Sequence, residues 1–487
     1  MKVKDLKPAL VWEIFDAITQ VPRPSKKEEK IRAYLLDFAH KHNLEVATDA
    51  IGNVVMTVPA TPGYENAPTV ILQAHMDMVC EKNSDVNIDF ENDPIETYID
   101  GEWVRARGTT LGADNGIGMA AAMAVLISPE AKHGRLQALF TVDEETGLTG
   151  ANNLDGNLID GDILLNLDSE DDAQIFIGCA GGIDTTARFT YTTQPAPQDY
   201  YYATLSIKGL NGGHSGGDIH LGRGNANKIL SRFVWNAMKK YDVKLAAIDG
   251  GNLHNAIPRE AMAVIGVPMK DKESLRVDFN CHIATIEEEL RGVDTLTGSN
   301  MQTADVPATC IDDTTARNLI TALYAAPHGV IAMSRELPGL VQTSTNLASV
   351  KIRENNTIVV ATSQRSSVES EKYDIAHRVE SVFTLAGAVA THGDGYPGWK
   401  PNMQSAIKDI AVKAYEELYN VTPEILAIHA GLECGLFLTK YPHLDMISFG
   451  PTLRDVHSPD ERMHIPAVEK FWLHLLRILE KVGEMKK

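Results

Sequence analysis

Cysteine is scarce in this chain. Five occur among 487 residues, Cys80, Cys179, Cys281, Cys310 and Cys434, an odd number, far apart and with no CxxC pair. That speaks against a disulfide framework and for reduced thiols in a cytoplasmic protein. Long apolar runs are missing as well. No stretch reaches the roughly 18 continuous apolar residues that would span a bilayer. The first ten residues carry three lysines and no apolar segment of signal-peptide length. Positive charge is in deficit, with 45 Lys and Arg against 65 Asp and Glu and a net charge of −20. An acidic surface repels phosphate backbones and anionic headgroups, so neither nucleic acid nor a membrane is an expected partner. Low-complexity tracts and short-period repeats are absent too.

What remains has the composition of a globular protein, 44% hydrophobic and 23% charged. The length allows roughly two to four domains. Ser25 and Glu28 stand at capping-box spacing after Pro22 and Pro24, which predicts a helix running to about His40. Gly52 and Asn53 predict a turn before a β-branched strand at 54–58. Short apolar strands are expected at 69–73, 139–142 and 163–167, with a helix at 116–126 among them. Strands alternating with helices predict an α/β layer on a largely parallel sheet. The pattern changes near Pro195–Pro197. A strand at 200–208, a helix at 225–241 and strands near 261–267 and 357–363 predict a second α/β unit. Tyr396-Pro397-Gly398-Trp399 reads as a linker. A helix at 409–419, a strand at 446–449 and a closing helix at 467–482 then predict a return to the first domain.

Three clusters follow three of the predicted strands: His75-Met76-Asp77, Asp143-Glu144-Glu145 and Asp168-Ser169-Glu170. Ligands in open α/β sheets bind beyond the carboxyl ends of strands, so the recurrence points to one rim. A fourth piece, Leu111-Gly112-Ala113-Asp114-Asn115-Gly116, sets a carboxylate near a helix N-terminus, where negative charge is favoured. A fifth is His457-Ser458-Pro459-Asp460-Glu461. Each alone has an ordinary reading as a turn, a helix cap or a solvated loop. Together they supply two imidazoles and several carboxylates, the donor set that two-metal hydrolysis requires. Adjacent Glu144 and Glu145 are suited to divide the roles of general base and ligand. Gly213-His214-Ser215-Gly216-Gly217 formally satisfies GxSxG, but no strand leads directly into Ser215 and no helix directly follows it, as a nucleophile elbow demands.

On these residues the chain resembles the co-catalytic zinc peptidases that include carboxypeptidase G, aminoacylase and carnosinase. Gly178–Asp184, Asn255–Glu260 and His429–Phe437 extend the resemblance toward the family's aminoacyl-histidine dipeptidases. The resemblance implies a mixed central sheet flanked by helices in a catalytic domain made of residues 1–195 and 396–487. Residues 196–395 would be an inserted α/β lid and dimerisation domain. It implies two divalent metal ions per subunit, zinc in the first place, with cobalt or manganese as substitutes. Asp114 would bridge them, with His75 and Asp168 on one ion and Glu145 and His457 on the other. Glu144 would be the general base and Asp77 the partner that orients His75. His214 would polarise the scissile carbonyl, while Asn255, Arg365 and Glu433 would contact substrate. Small peptides, Xaa-His dipeptides such as β-Ala-His among them, are the implied substrates, and a homodimer the implied assembly. An N-acyl amino acid deacylase or carboxypeptidase on the same metal site is the alternative.

Overall fold

Residues 70–75 read Val-Ile-Leu-Gln-Ala-His, and all six are buried. The strands Leu136–Thr141 and Ile163–Asn166 are likewise buried along their full length. Strands covered on both faces read as near-continuous apolar runs, which explains the missing alternation. The computed structural model describes residues 2–485. It divides into two compact units. One is formed by the chain up to Gly178, by Pro401–Ala427 and by the chain from Leu432 onward; the other by Cys179–Lys400 and Ile428–Gly431. The division falls at Gly178, earlier than the expected position 195, because Gly181–Thr190 is already a strand of the second unit's sheet.

The first unit holds an eight-stranded sheet. Its centre is parallel: Leu136–Thr141, Val70–His75, Ile163–Asn166 and Asp445–Ser448 lie side by side in one direction. Val54–Val58 and Glu45–Thr48 continue it antiparallel at one side, and Gln174–Cys179 pairs antiparallel at the other. The sheet is therefore mixed. The helix Ala113–Ile127 is buried from Asn115 to Leu126, and its run of alanines permits close packing on the sheet. Ala406–Tyr419 and Ile465–Gly483 add the apolar faces that complete the same core.

The predicted capping box does not form. The helix is Glu29–Lys41, with Glu28 at its N-cap and no side-chain cap. The Ser25 hydroxyl donates instead to Asp77 Oδ2 (2.8 Å). The second unit carries a nine-stranded sheet whose pairings are all antiparallel. Ala226–Lys240, Asp313–Ala325 and Glu369–Leu385 contribute to its core. The expected linker is also part of this unit. Trp399 is 4% exposed, and the backbones of Trp399 and Tyr396 pair with Cys179 and Gly182.

One buried side chain of the first unit makes stability pH-dependent. His474 donates from Nε2 to the Ala411 carbonyl (2.8 Å) and packs against Tyr415 and Phe449. Burial holds its pKa down at about 4. Above its unfolded value of about 6.5 the ring is neutral in both states. As pH falls from there toward 4, the unfolded chain takes up the proton and the folded chain does not, so stability is lost. The expected slope from this group reaches about 1.4 kcal/mol per pH unit. Urea unfolding between pH 7 and 4.5 checks it: the loss should be shallower in His474→Gln than in the unsubstituted protein.

Candidate metal centre

The sequence-predicted clusters meet at the carboxyl ends of the parallel strands. His75 ends Val70–His75 and Asp168 follows Ile163–Asn166. Asp114 sits at the start of the Ala113–Ile127 segment, with non-helical φ and ψ of −79° and 112°. Its Oδ1 lies 3.0 Å from His75 Nε2 and its Oδ2 3.1 Å from His457 Nε2. Asp168 Oδ1 is 3.4 Å from the same His75 nitrogen, and Glu145 Oε2 is 3.0 Å from His457 Nε2. One carboxylate thus stands between two donor pairs, His75 with Asp168 and His457 with Glu145.

Asp77 organises the ring and the turn beside it. His75 Nδ1 lies 3.2 Å from the Asp77 carbonyl and 3.3 Å from Asp77 Oδ1. The carboxylate accepts from Glu144 N at Oδ1 (3.0 Å) and from Glu145 N at Oδ2 (3.2 Å), in addition to Ser25. Asp143, at φ 49°, begins this sharp turn. Glu144 and Glu145 therefore leave a short helical turn at adjacent positions, each held by one oxygen of Asp77. Glu145 reaches His457; the Glu144 carboxylate forms no ion pair among the described residues.

Two further residues hold the frame: Glu461, the last residue of the fifth cluster, and Arg23, which no local pattern marks. Glu461 is 2% exposed and accepts from four successive backbone N–H groups, Leu111 (2.7 Å), Gly112 (3.0 Å), Ala113 (2.8 Å) and Asp114 (3.4 Å). Arg23, equally buried, donates to the carbonyls of Met76 (3.2 Å), Asp77 (2.6 Å) and Gly112. Gly112 has φ 69°, and a Cβ there would meet Arg23 Nη2 at 2.6 Å. Only glycine fits both the turn and the arginine. Glu433 is 1% exposed and accepts from Gln73 Nε2 (2.6 Å) and Thr141 Oγ1 (2.9 Å) at one oxygen; its other oxygen has no hydrogen-bond partner.

The electrostatics are those of a site built for cations. With Nδ1 of His75 donating to Asp77, a neutral ring turns the Nε2 lone pair toward Asp114 and Asp168. A proton can satisfy one of those oxygens but not both. Asp168 Oδ1 and Glu145 Oε1 are buried without a hydrogen-bond partner. Burial, then Asp114 and Glu145, push Asp168 up to about 7. Asp114 and Glu145 push His457 up to about 11. Burial raises Glu144 well above the ordinary carboxylate range, reinforced by Asp168, Glu433 and Glu145. Donor nitrogens and oxygens with no thiolate, crowded to this degree, fit divalent zinc, cobalt or manganese. His75, Asp114 and Glu145 each offer a ligand atom within 4.8 Å of the others.

His214, Asn255 and Arg365 belong to the second unit. The His214 Nδ1 accepts from the N–H groups of Gly216 (3.2 Å) and Gly217 (3.0 Å). Its neutral ring therefore carries the proton on Nε2, as a donor. Arg365 is 7% exposed, donates to Tyr396 Oη (2.8 Å) and leaves Nε without a partner. The Asn255 carbonyl accepts from Ser215 N (2.8 Å). Ser215 itself is buried, with no hydrogen-bond partner for its hydroxyl. The next α-helix begins only at Ala226, so the GxSxG match is no nucleophile elbow.

The sequence pattern described by the model for peptidase family M20/M25/M40 matches residues 71–481. The chain belongs to that family. This M20/M25/M40 member is accordingly a hydrolase acting on peptide bonds. It is 42% identical over 481 residues to the cytosol non-specific dipeptidase of Escherichia coli (strain K12), covering 99% of each chain. The crystal structure of aminoacylhistidine dipeptidase from Vibrio alginolyticus is similar at a TM-score of 0.93 and 44% identity, covering 100% of this chain and 99% of the other. A tripeptidase from Staphylococcus aureus shares the fold at a TM-score of 0.58 and 16% identity, covering 99% of this chain and 100% of that one.

Proposed function

We propose that this M20/M25/M40 peptidase is a cytoplasmic dipeptidase with two divalent metal ions per subunit, zinc first, acting on Xaa-His dipeptides such as β-Ala-His. The observation that carries this reading is Asp114, whose two oxygens face His75 and His457 at 3.0 and 3.1 Å. A carboxylate so placed would serve two ions, and Asp168 and Glu145 would complete the two donor sets. The names of the two full-length relatives support the dipeptide substrate. The low cysteine content and the name of the Escherichia coli relative support the cytoplasm.

When bound, two such ions polarise the scissile carbonyl and acidify the attacking water. Glu144 takes the proton from that water and returns it to the leaving amine. Its position in the turn fixed by Asp77, and its raised proton affinity, suit both halves of that transfer. Asp77 keeps His75 in the tautomer that presents Nε2 as a ligand. In the second unit, the inserted lid and dimerisation domain of this reading, His214 offers Nε2–H to the developing oxyanion. Arg365, buried with its Nε unpartnered, takes the substrate carboxylate, and Asn255 helps hold the carbonyl. Glu433 keeps one oxygen engaged inside the sheet; the other, without a hydrogen-bond partner, is offered to a substrate amine or histidine ring. The assembly proposed is a homodimer.

Hydrolysis of β-Ala-His and Ala-His by the purified protein tests the reading. Both should be cleaved, exhaustive chelation should abolish cleavage, and added zinc should restore it. Cleavage of N-acetyl amino acids in preference to either dipeptide by the zinc-loaded protein would make it a deacylase.

A further inference from the structure

Outside the candidate centre, the second unit carries another set of metal donors. His377 and Glu380 stand three residues apart on the helix Glu369–Leu385, and His392 ends the neighbouring edge strand Val389–His392. Their ligand atoms all lie within 4.8 Å of one another. Glu380 Oε2 is 3.0 Å from His392 Nε2, and the rings of His377 and His392 are 5.7 Å apart between centroids. His377 is exposed and the other two half-buried, so the cluster is open to an ion from solvent.

The hydrogen bonds behind His392 decide what its Nε2 presents. The Thr362 hydroxyl donates to the Thr185 carbonyl (3.1 Å), so its oxygen must accept from Gln364 Nε2 (2.7 Å). That fixes the amide of Gln364, whose oxygen accepts from Thr185 Oγ1 (2.7 Å). With its proton so committed, Thr185 Oγ1 can only accept from His392 Nδ1 (2.9 Å). The neutral ring therefore carries its proton on Nδ1 and aims the Nε2 lone pair at a carboxylate oxygen. Two lone pairs at 3.0 Å call for a cation, either a second ring proton or a metal ion beside them. A buried hydroxyl that fixes the imidazole tautomer from behind is also the support a metal-bound histidine uses.

We propose that His377, Glu380 and His392 form a surface site for one divalent transition-metal ion, zinc by its donor set, separate from the candidate catalytic ions. Two imidazoles and a carboxylate make three ligands, and water takes the fourth tetrahedral position. Bond lengths of about 2.0–2.2 Å set tetrahedral donors roughly 3.3 Å apart; the ligand atoms here lie within 4.8 Å of one another, and the exposed His377 side chain would close the remaining distance. The ion would tie the helix Glu369–Leu385 to the edge strand across the short turn that joins them.

The test is a zinc count on the full-length, untagged protein by equilibrium dialysis and elemental analysis. A double variant, His377→Ala with His392→Ala, should bind one zinc fewer per chain than the unsubstituted protein at saturation. Glu380→Gln should weaken that one equivalent at least tenfold. The difference between variants does not depend on how many ions the chain holds elsewhere. Circular dichroism confirms that each variant is folded. Equal zinc counts in all three proteins would mean that His392 and Glu380 form an ion pair only, and would overturn the proposal.

Discussion

Glu144→Gln should leave a folded, metal-loaded protein that barely turns over. The expected fall in kcat is about 10²–10⁴-fold, the share that a positioned general acid–base supplies. The argument rests on the division between neighbours. Glu145 Oε2 lies 3.0 Å from His457 Nε2, within the donor set, whereas the Glu144 carboxylate enters no ion pair among the described residues. Both backbones are pinned by the two oxygens of Asp77, which fixes the two side chains at adjacent positions of one turn. Glutamine preserves the length and the turn but replaces one oxygen by an NH2 group and so removes the charge and the ability to take up a proton. Metal content after dialysis against zinc, measured beside kcat on β-Ala-His, reads the two roles separately. Loss of zinc together with activity would make Glu144 a ligand and end the assignment.

The same turn shows what a sequence reveals and what it hides. His75, Asp77, Glu144, Glu145 and Asp168 were legible as a group because a fully buried parallel strand has a simple signature, and the residues after it emerge at one rim. Asp114 was legible because Gly112 and Gly116 bracket it at a helix start. Their proximity could be expected; the means of holding them could not. Ser25 stands at capping-box spacing, yet its hydroxyl serves Asp77, a residue distant in sequence. Arg23 and Glu461 act on backbone carbonyls and N–H groups, which have no sequence identity to match. The longest strand, Val341–Arg353, was missed for a related reason. Its buried Thr343, Ser344, Thr345 and Asn346 show no apolar alternation; hydrogen bonds to Ser366, His429, Gln364 and Ala256 engage them individually. Likewise Tyr396 and Trp399, set among Pro and Gly, looked like a linker until backbone pairing with Gly182 and Cys179 was seen.

The effect on metal binding should be greatest at Asp114. Asp114→Asn keeps the shape of the side chain but replaces one oxygen by an NH2 group and removes the charge. The substituted nitrogen cannot act as a ligand, and facing either His75 or His457 it would leave one ion without its shared oxygen. Loss of a partner that merely orients a ligand costs about 10–100-fold in metal affinity, and Asp77→Asn should fall in that range, because Asp77 touches His75 only at Nδ1. Asp114→Asn should exceed it and should lower the number of ions held per chain, with hydrolysis lost in proportion. Dialysis of both variants against graded chelator buffers, followed by elemental analysis, separates the two cases. Equal losses at Asp77 and Asp114 would mean that the carboxylate between the histidines only orients them. A distinctly larger loss at Asp114 is what a bridging oxygen pair requires, since its two contacts, at 3.0 and 3.1 Å, would each belong to a different ion.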